Sequence, residues 1–225
     1  YLQFQSDAGP IENKISGDGV IRVAGEVSVK SSDISDYHGE WDVLGKLKTV
    51  DGSFTTSSQW GTGNVNIEPQ GSVVVTNNSD SSLFVFDNTL SGSGTLLVNF
   101  SGSENGTDLY TPTFKIQQGT ISGFTGMVEL AGEKNKKVVY ILDSDELSTS
   151  GIRVNDNSVL SVGRDDSSKE TFTLGTLDIA GGELNIGDIQ TGSPTSYKTI
   201  RITKKLNADG EGTVRIDTSA GFINA

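Results

Sequence analysis

Short runs of alternating apolar and polar residues occur along nearly the whole chain, separated by Gly, Asn, Asp and Ser. Such alternation is typical of β-strands that bury one face. No window of twelve residues keeps the apolar spacing of an amphipathic helix without a glycine or a β-branched cluster breaking it. The chain is therefore predicted to be all-β. The predicted strands are residues 20–23, 27–29, 65–67, 73–75, 83–86, 96–98, 114–116, 128–130, 138–142, 152–154, 159–162, 177–179, 184–186, 200–202 and 214–216.

The spacing of these runs favours a stack of strands over a sandwich. Sandwich strands recur about every 8–12 residues with hairpin turns, whereas many gaps here are shorter and Asn-Gly or Asp-Gly pairs are few. A Gly-x-Gly phrase also recurs just before a strand, at residues 17–19, 92–94 and 210–212. We therefore expect a parallel β-helix, a solenoid that forms a single elongated domain over residues 7–225. A β-sandwich is the alternative fold.

At about 20–25 residues per repeat, as in known repeat architectures, such a stack would have nine or ten layers. Residues 102–113 and 187–197 are predicted to be loops, and residues 1–6 resemble the remnant of an expression tag. Aromatic side chains are expected to fill the core, namely Phe84, Phe86, Phe100, Phe114 and Phe172.

Composition agrees with an elongated stack and narrows the function. Only 33% of residues are hydrophobic, which suffices for a narrow apolar stripe because each layer contacts only its neighbours. The net charge of −12 and the pI of about 4.4 argue against nucleic acid and anionic membranes as partners. The absence of cysteine excludes thiolate metal sites, cysteine nucleophiles and disulfides. No apolar stretch approaches the ~20 residues of a transmembrane helix.

Two sequence phrases carry a resemblance to a known family. The first occurs at residues 16–23 and 91–98 and has the form Ser-Gly-x-Gly followed by an alternating strand. The second follows it at residues 37–43 and 124–130, with an aromatic residue two positions before a glycine. The chain resembles the passenger domains of type V autotransporters, especially the self-associating and matrix-binding adhesins.

The resemblance implies a right-handed β-helix that is exported to the bacterial cell surface through an outer-membrane barrel located elsewhere in the full-length protein. It also implies a role in cell aggregation, biofilm growth or attachment to host matrix proteins and glycans. The expected localisation is therefore extracellular, on the outer surface of a Gram-negative cell. Self-association between neighbouring cells is one expected interaction.

Candidate catalytic groups are few. A serine protease triad needs a histidine as base, and the only histidine, His38, lies in a turn phrase where an exposed turn residue is the favoured interpretation. Polysaccharide cleavage needs paired carboxylates. Asp143 with Asp145, and Asp165 with Asp166, are candidates, but aspartates at strand ends are ordinary turn residues. No catalytic residue is therefore assigned.

Ligand-binding candidates are also few. Residues 207–212 have a faint likeness to a calcium loop, but Thr218 stands where the closing glutamate would be. No metal or other cofactor is expected. Trp41 and Trp60 are the best candidates for stacking on a sugar, although Trp41 is also expected to pack inward. The leading functional interpretation is a non-catalytic adhesin. A polysaccharide-active enzyme on the same scaffold and a passive stalk that presents another domain remain alternatives.

Overall fold

The protein folds into three parallel β-sheets in a computed structural model. The structure describes residues 2–5, 7–11, 13–30, 34, 36–49, 60–77, 83–100, 113–116, 121–132, 138–142, 147, 149–162, 171–186, 199–209 and 212–216. Among these residues the regular elements are all strands, as the alternating pattern predicts. The all-β prediction is confirmed.

Within the described ranges the sheets contain six, nine and six strands, which are numbered in chain order. The first sheet consists of β1 (Leu2–Phe4), β3 (Val20–Val23), β5 (Glu40–Val43), β7 (Val65–Ile67), β10 (Leu90–Gly92) and β13 (Ile121–Phe124). The second sheet consists of β2 (Ala8–Ile11), β4 (Glu26–Val29), β6 (Lys46–Thr49), β8 (Ser72–Asn77), β11 (Thr95–Phe100), β14 (Met127–Gly132), β16 (Gly151–Asn155), β18 (Thr171–Ala180) and β20 (Thr199–Asp209). The third sheet consists of β9 (Leu83–Phe86), β12 (Thr113–Ile116), β15 (Val138–Leu142), β17 (Ser158–Val162), β19 (Glu183–Ile186) and β21 (Thr213–Ile216).

Within each sheet the spatial order of the strands follows their order in the chain, and every strand pair is parallel. The chain passes from one sheet to the next and then returns, so that each strand pairs with the strand of the same sheet on the following pass. We call one such pass a layer. Among the described residues, the second sheet has the largest number of strands, nine.

Aliphatic side chains form buried rows that run across successive strands. In the second sheet one row consists of Val27, Leu47, Val73, Leu96, Val128, Ile152 and Leu177, which occupy equivalent positions on consecutive strands. Because parallel strands in register place equivalent side chains on one face, each layer adds one residue to the row. The row is part of a continuous core.

A column of glycines occupies the corner that leads into the second sheet. Gly25, Gly45, Gly71, Gly94 and Gly126 each immediately precede a strand of that sheet, and Lys46, Ser72, Thr95, Met127 and Gly151 donate backbone hydrogen bonds to their carbonyls. A Cβ atom on Gly45 would lie 2.2 Å from the Gly25 oxygen, and one on Gly126 would lie 2.0 Å from the Gly94 oxygen. The layers are therefore too close at this corner for a side chain.

The structure confirms the fifteen predicted strands and adds six that the pattern did not single out, namely β1, β2, β5, β6, β10 and β13. Residues 2–4, which resemble part of a tag remnant, form β1 and pair with β3. Four of the predicted core aromatics, Phe84, Phe86, Phe100 and Phe172, are fully buried. The side chain of Phe114 and most of the two predicted loops lie outside the described part of the chain.

Candidate binding surface

A row of polar side chains crosses four strands on the outer face of the first sheet. Arg22, Asp42, Asn66 and Ser91 occupy equivalent positions on β3, β5, β7 and β10. Their neighbours along each strand, such as Ile21, point into the core. The alternation of a strand therefore places these four residues on the outside.

The members of this outer row are connected to one another. The Arg22 Nη1 atom lies 3.5 Å from Asp42 Oδ2. The Asn66 Nδ2 atom donates to Asp42 Oδ1 at 3.3 Å and to Glu68 Oε1 at 3.0 Å. Ser91 Oγ donates to Asn66 Oδ1 at 3.2 Å. The Arg22 side chain is 38% exposed, so the row contains a cation that can still donate hydrogen bonds to an external acceptor.

A second charged group lies on the outer face of the second sheet, near its first strands. Glu26 forms an ion pair with Lys48, and its Oε2 atom is 3.6 Å from Lys46 Nζ. The hydrogen bond from Lys48 lowers the pKa of the Glu26 carboxyl, and Lys46 contributes in the same direction. Exposed pairs of this kind contribute little to folding, because solvent screens them.

The outer face of the second sheet changes character along its length. Val74 and Leu97 follow Lys48 at the equivalent position, and Val74 is almost fully buried. Further along, Arg153 Nη1 lies 3.6 Å from Asp178 Oδ2. Charged and apolar segments therefore alternate on this face, whereas the row on the first sheet is polar throughout.

Trp41 and Trp60 are both inside the core. Each has no exposed surface, and the Trp41 Nε1 atom donates a hydrogen bond to the Trp60 carbonyl at 3.0 Å. The Trp41 ring meets the Tyr37 ring edge to face, with centroids 5.5 Å apart, and Trp60 meets Phe86 in the same way at 6.0 Å. The expected inward packing of Trp41 is confirmed. The suggestion that either indole stacks on a sugar is wrong in this structure, because neither ring face is open.

The side chain of Tyr37 is buried, whereas that of the neighbouring His38 is exposed. The buried Tyr37 hydroxyl lies 2.7 Å from the carbonyl oxygens of both Gly19 and Glu40. Its burial raises the pKa of Tyr37 to about 12. His38 is exposed, with Nδ1 2.8 Å from Thr62 Oγ1, as expected for a turn residue.

The remaining candidate residues are not gathered into one site. Asp143, Asp145, Asp165 and Asp166 lie outside the described residues. Residues 207–209 belong to β20 and pair with β18. Residues 210 and 211 of the calcium-loop alternative lie outside the described residues. Within the described ranges there is no group of three or more His, Cys, Asp or Glu residues placed to hold a metal ion.

The two recurring sequence phrases prove to be neighbours in space. In the first copy, β3 pairs with β5, and in the second copy β11 pairs with β14. The glycine of the second phrase lies directly against the backbone of the first, since a Cβ on Gly39 would be 1.8 Å from the Gly19 oxygen. The aromatic residues two positions earlier, Tyr37 and Phe124, are buried. Close stacking of adjacent layers thus explains both phrases.

Comparisons with known proteins give one distant similarity. The uncharacterized protein YuaQ of Escherichia coli (strain K12) is 26% identical to the chain over 215 residues, which is 94% of this chain. The chain spans only 14% of the length of that protein. No protein-family model and no solved structure match the chain. Among the described residues, no helix has the length and apolar character needed to span a membrane.

Proposed function

We propose that the three parallel sheets form a right-handed parallel β-helix. The supporting observation is that spatial order equals chain order in each sheet, with every described pair parallel. Successive parallel strands in one sheet are almost always joined by right-handed crossovers. In a β-sandwich of hairpins, neighbouring strands would instead run antiparallel.

We further propose that this β-helix is a non-catalytic adhesive segment on the surface of a Gram-negative bacterium. The observation that carries this proposal is the outer row Arg22–Asp42–Asn66–Ser91, which presents a connected line of donors and acceptors on an otherwise regular face. A row with one polar residue per layer suits repeated weak contacts. Many copies on one cell would add such contacts through avidity. The partner is a neighbouring cell, a matrix protein or a glycan.

The proposal is tested by displaying the 225-residue segment on non-adhesive bacteria and measuring cell settling and binding to matrix proteins and glycans. We expect clumping or selective binding. The double substitution Arg22→Ala with Asp42→Ala removes one paired cation and one anion from the outer row and should reduce the adhesion. Glu26→Ala with Lys48→Ala is the matched control, because it removes an equivalent pair from the second sheet without changing net charge.

Each alternative gives its own result in the same assay. A folded, surface-displayed segment that neither clumps cells nor binds any probe would refute the adhesive role and favour the passive stalk. Release of shortened chains from a bound polysaccharide would instead favour the enzyme. Equal loss of adhesion in both double variants would show that the outer row is not the binding face.

A further inference from the structure

Within the outer row of the first sheet, some hydrogen-bonding groups are already used and others remain open. The amide of Asn66 donates to both Asp42 and Glu68, and its Oδ1 atom accepts from Ser91. A side-chain amide has only two N–H donors, so Asn66 has none left for a ligand. Asn66 is therefore a positioning residue that holds its neighbours, and a partner must bind to the other members of the row.

Arg22 supplies the open donors of the row. A guanidinium carries five N–H donors, and its contact with Asp42 involves Nη1 alone, at 3.5 Å. The partly exposed side chain can therefore present further N–H groups as a planar fork. This fork matches the two oxygens of a carboxylate. Arg22 thus suits an anionic, planar group on the ligand.

The other open groups of the row are acceptors. Each carboxylate oxygen of Asp42 has one contact within the row, and an ionised carboxylate oxygen can accept more than one hydrogen bond. Glu68 accepts from Asn66 through Oε1. Ser91 donates its proton to Asn66, so its oxygen can still accept. Because Asp42, Glu68 and Ser91 are all partly exposed, a partner that covers them must donate hydrogen bonds, as sugar hydroxyl groups do.

The spacing of the row favours a chain of sugars over a peptide. Adjacent strands of a sheet lie about 4.8 Å apart, so the three steps from Arg22 to Ser91 span about 14 Å. An extended peptide presents side chains on one face about every 6.6 Å and loses register with the layers at once. One sugar ring with its glycosidic linkage has nearly the length of one layer. Each sugar of an extended polysaccharide can therefore lie over one member of the row.

The surroundings of the row limit the kind of polysaccharide. Within the described ranges, none of the exposed large apolar residues lies on the row, so an apolar anchor of a protein partner would find no matching contact. The net charge of −12 repels a densely charged polyanion. The row itself has one cation, Arg22, near two carboxylates. A glycan with well-separated carboxylates is thus a better match than a sulfated one.

We propose that the outer row binds an extended acidic polysaccharide that lies along the stack. The carboxylate of one uronic acid sugar binds the Arg22 guanidinium, and hydroxyl groups of the following sugars donate to Asp42, Glu68 and Ser91. This inference rests on the proposed adhesive role and names the partner of the same row. Asn66 holds the acceptors in place before binding, which lowers the entropy cost. Many copies on one cell raise the weak affinity of a single row through avidity.

The test measures binding of the whole 225-residue chain to an immobilised polysaccharide of alternating glucuronic acid and N-acetylglucosamine by surface plasmon resonance. The same polysaccharide with its carboxyl groups reduced to alcohols is the ligand control, because it keeps the length and the hydroxyl groups. We expect reduction to weaken binding about tenfold, since a charge-assisted pair is lost. Equal binding of both forms would overturn the proposal. Stronger binding of polyglutamate would overturn it in favour of a peptide.

Two arginine variants test the position of the contact. Arg22→Lys keeps the charge but removes the planar fork, so it should weaken binding of the acidic form several-fold and leave binding of the reduced form unchanged. Arg153→Lys is the matched control and should have no effect, because Arg153 is similarly exposed, at 44%, and lies 3.6 Å from Asp178 on the second sheet. Equal losses for the two variants would contradict binding at the outer row.

The bacterial display assay separates failure of this inference from failure of the adhesive role. We expect the soluble acidic polysaccharide to inhibit adhesion of the displayed segment. If the cells adhere, lose adhesion with Arg22→Ala and Asp42→Ala together, and bind neither form of the polysaccharide, the row is adhesive but its partner is not a glycan. If the folded, displayed segment adheres to nothing and binds no polysaccharide, both proposals are overturned.

Discussion

The glycine column before the second sheet and the polar outer row of the first sheet both run along the stack with one residue per layer. In the column, the space for a Cβ atom is already filled by the carbonyl of the preceding layer, at 2.0 Å for Gly126. In the outer row, side chains meet at 3.2–3.5 Å and remain partly exposed. The column therefore limits how closely layers approach, whereas the row adds little to folding and is open to partners.

The glycine column therefore affects the stability of the fold, whereas the outer row is available for binding. Substitutions in the column should damage the fold, and substitutions in the row should mainly alter the surface. Substitutions in the aromatic core or at Tyr37 should have effects on stability of intermediate size.

The largest expected effect is that of Gly126→Ala in the glycine column. The new methyl group would overlap the Gly94 carbonyl and push two layers apart, at a cost of about 3 kcal/mol or more in unfolding free energy. Denaturant unfolding measures this loss. Gly19→Ala is the control, since nothing lies within 4 Å of its Cβ position, and it should change stability by under about 1 kcal/mol. Equal losses for the two variants would contradict the steric account.

Trp41→Phe should have the next largest effect. It removes a buried ring volume together with the hydrogen bond to the Trp60 carbonyl, and we expect a loss of about 2–3 kcal/mol. Trp60→Phe should cost less, because the backbone carbonyl of residue 60 can still accept from Trp41. In the unmodified protein both indoles should resist quenching by iodide. Ready quenching of both in the folded protein would refute their burial.

The raised pKa of Tyr37 predicts that the protein loses stability at alkaline pH. Its pKa is raised to about 12 by burial, while an unfolded tyrosine titrates near 10. The folded state therefore holds its proton when the unfolded state has lost it, and stability falls as the pH rises from about 10 to about 12. The decrease attributable to this group is about 2–3 kcal/mol. Tyr37→Phe should unfold more easily at pH 8 but show a flatter decline above pH 10. An unchanged slope would exclude Tyr37 as the titrating group.

The smallest effect is expected from Asn66→Asp in the outer row. The new carboxylate would face Asp42 and Glu68, whose oxygens now accept hydrogen bonds from Asn66. We expect a loss of about 0.5–1 kcal/mol at low ionic strength that largely disappears in 1 M salt. Asn99→Asp, on β11, pairs with Thr76 and Ala131 rather than with acidic residues and should show neither effect. A salt-independent loss would mean that the outer row stabilises the fold by other means.

The strands were largely predictable from sequence because each needs only two or three apolar residues at alternate positions. The strands that the pattern did not predict show where this signal is too weak. Strand β6 reads Lys-Leu-Lys-Thr, and a single aliphatic residue, Leu47, enters the core. Strand β10 ends at a glycine with positive φ. In both cases pairing with neighbouring layers stabilises a strand whose own sequence pattern is weak.

The candidate site was less predictable for a physical reason. Trp41 and Trp60 occur among polar and glycine residues, a context that suggests exposure, yet both are buried and each meets another aromatic ring, Tyr37 or Phe86. The outer row was not found from sequence either, because Arg22, Asp42, Asn66 and Ser91 become neighbours only through strand register. Spacing between successive members varies from 20 to 25 residues, and no local motif marks them.

The layered pairing also has a consequence for how the length of such a protein changes during evolution. Each described strand pairs only with strands of the preceding and following layers, so duplication or deletion of one complete layer leaves every other pairing intact. Gene rearrangements that respect the layer period would thus alter the reach of the molecule in small steps. Those that cut within a layer would shift the register and expose the core. A complete layer would then be the unit that selection retains or removes.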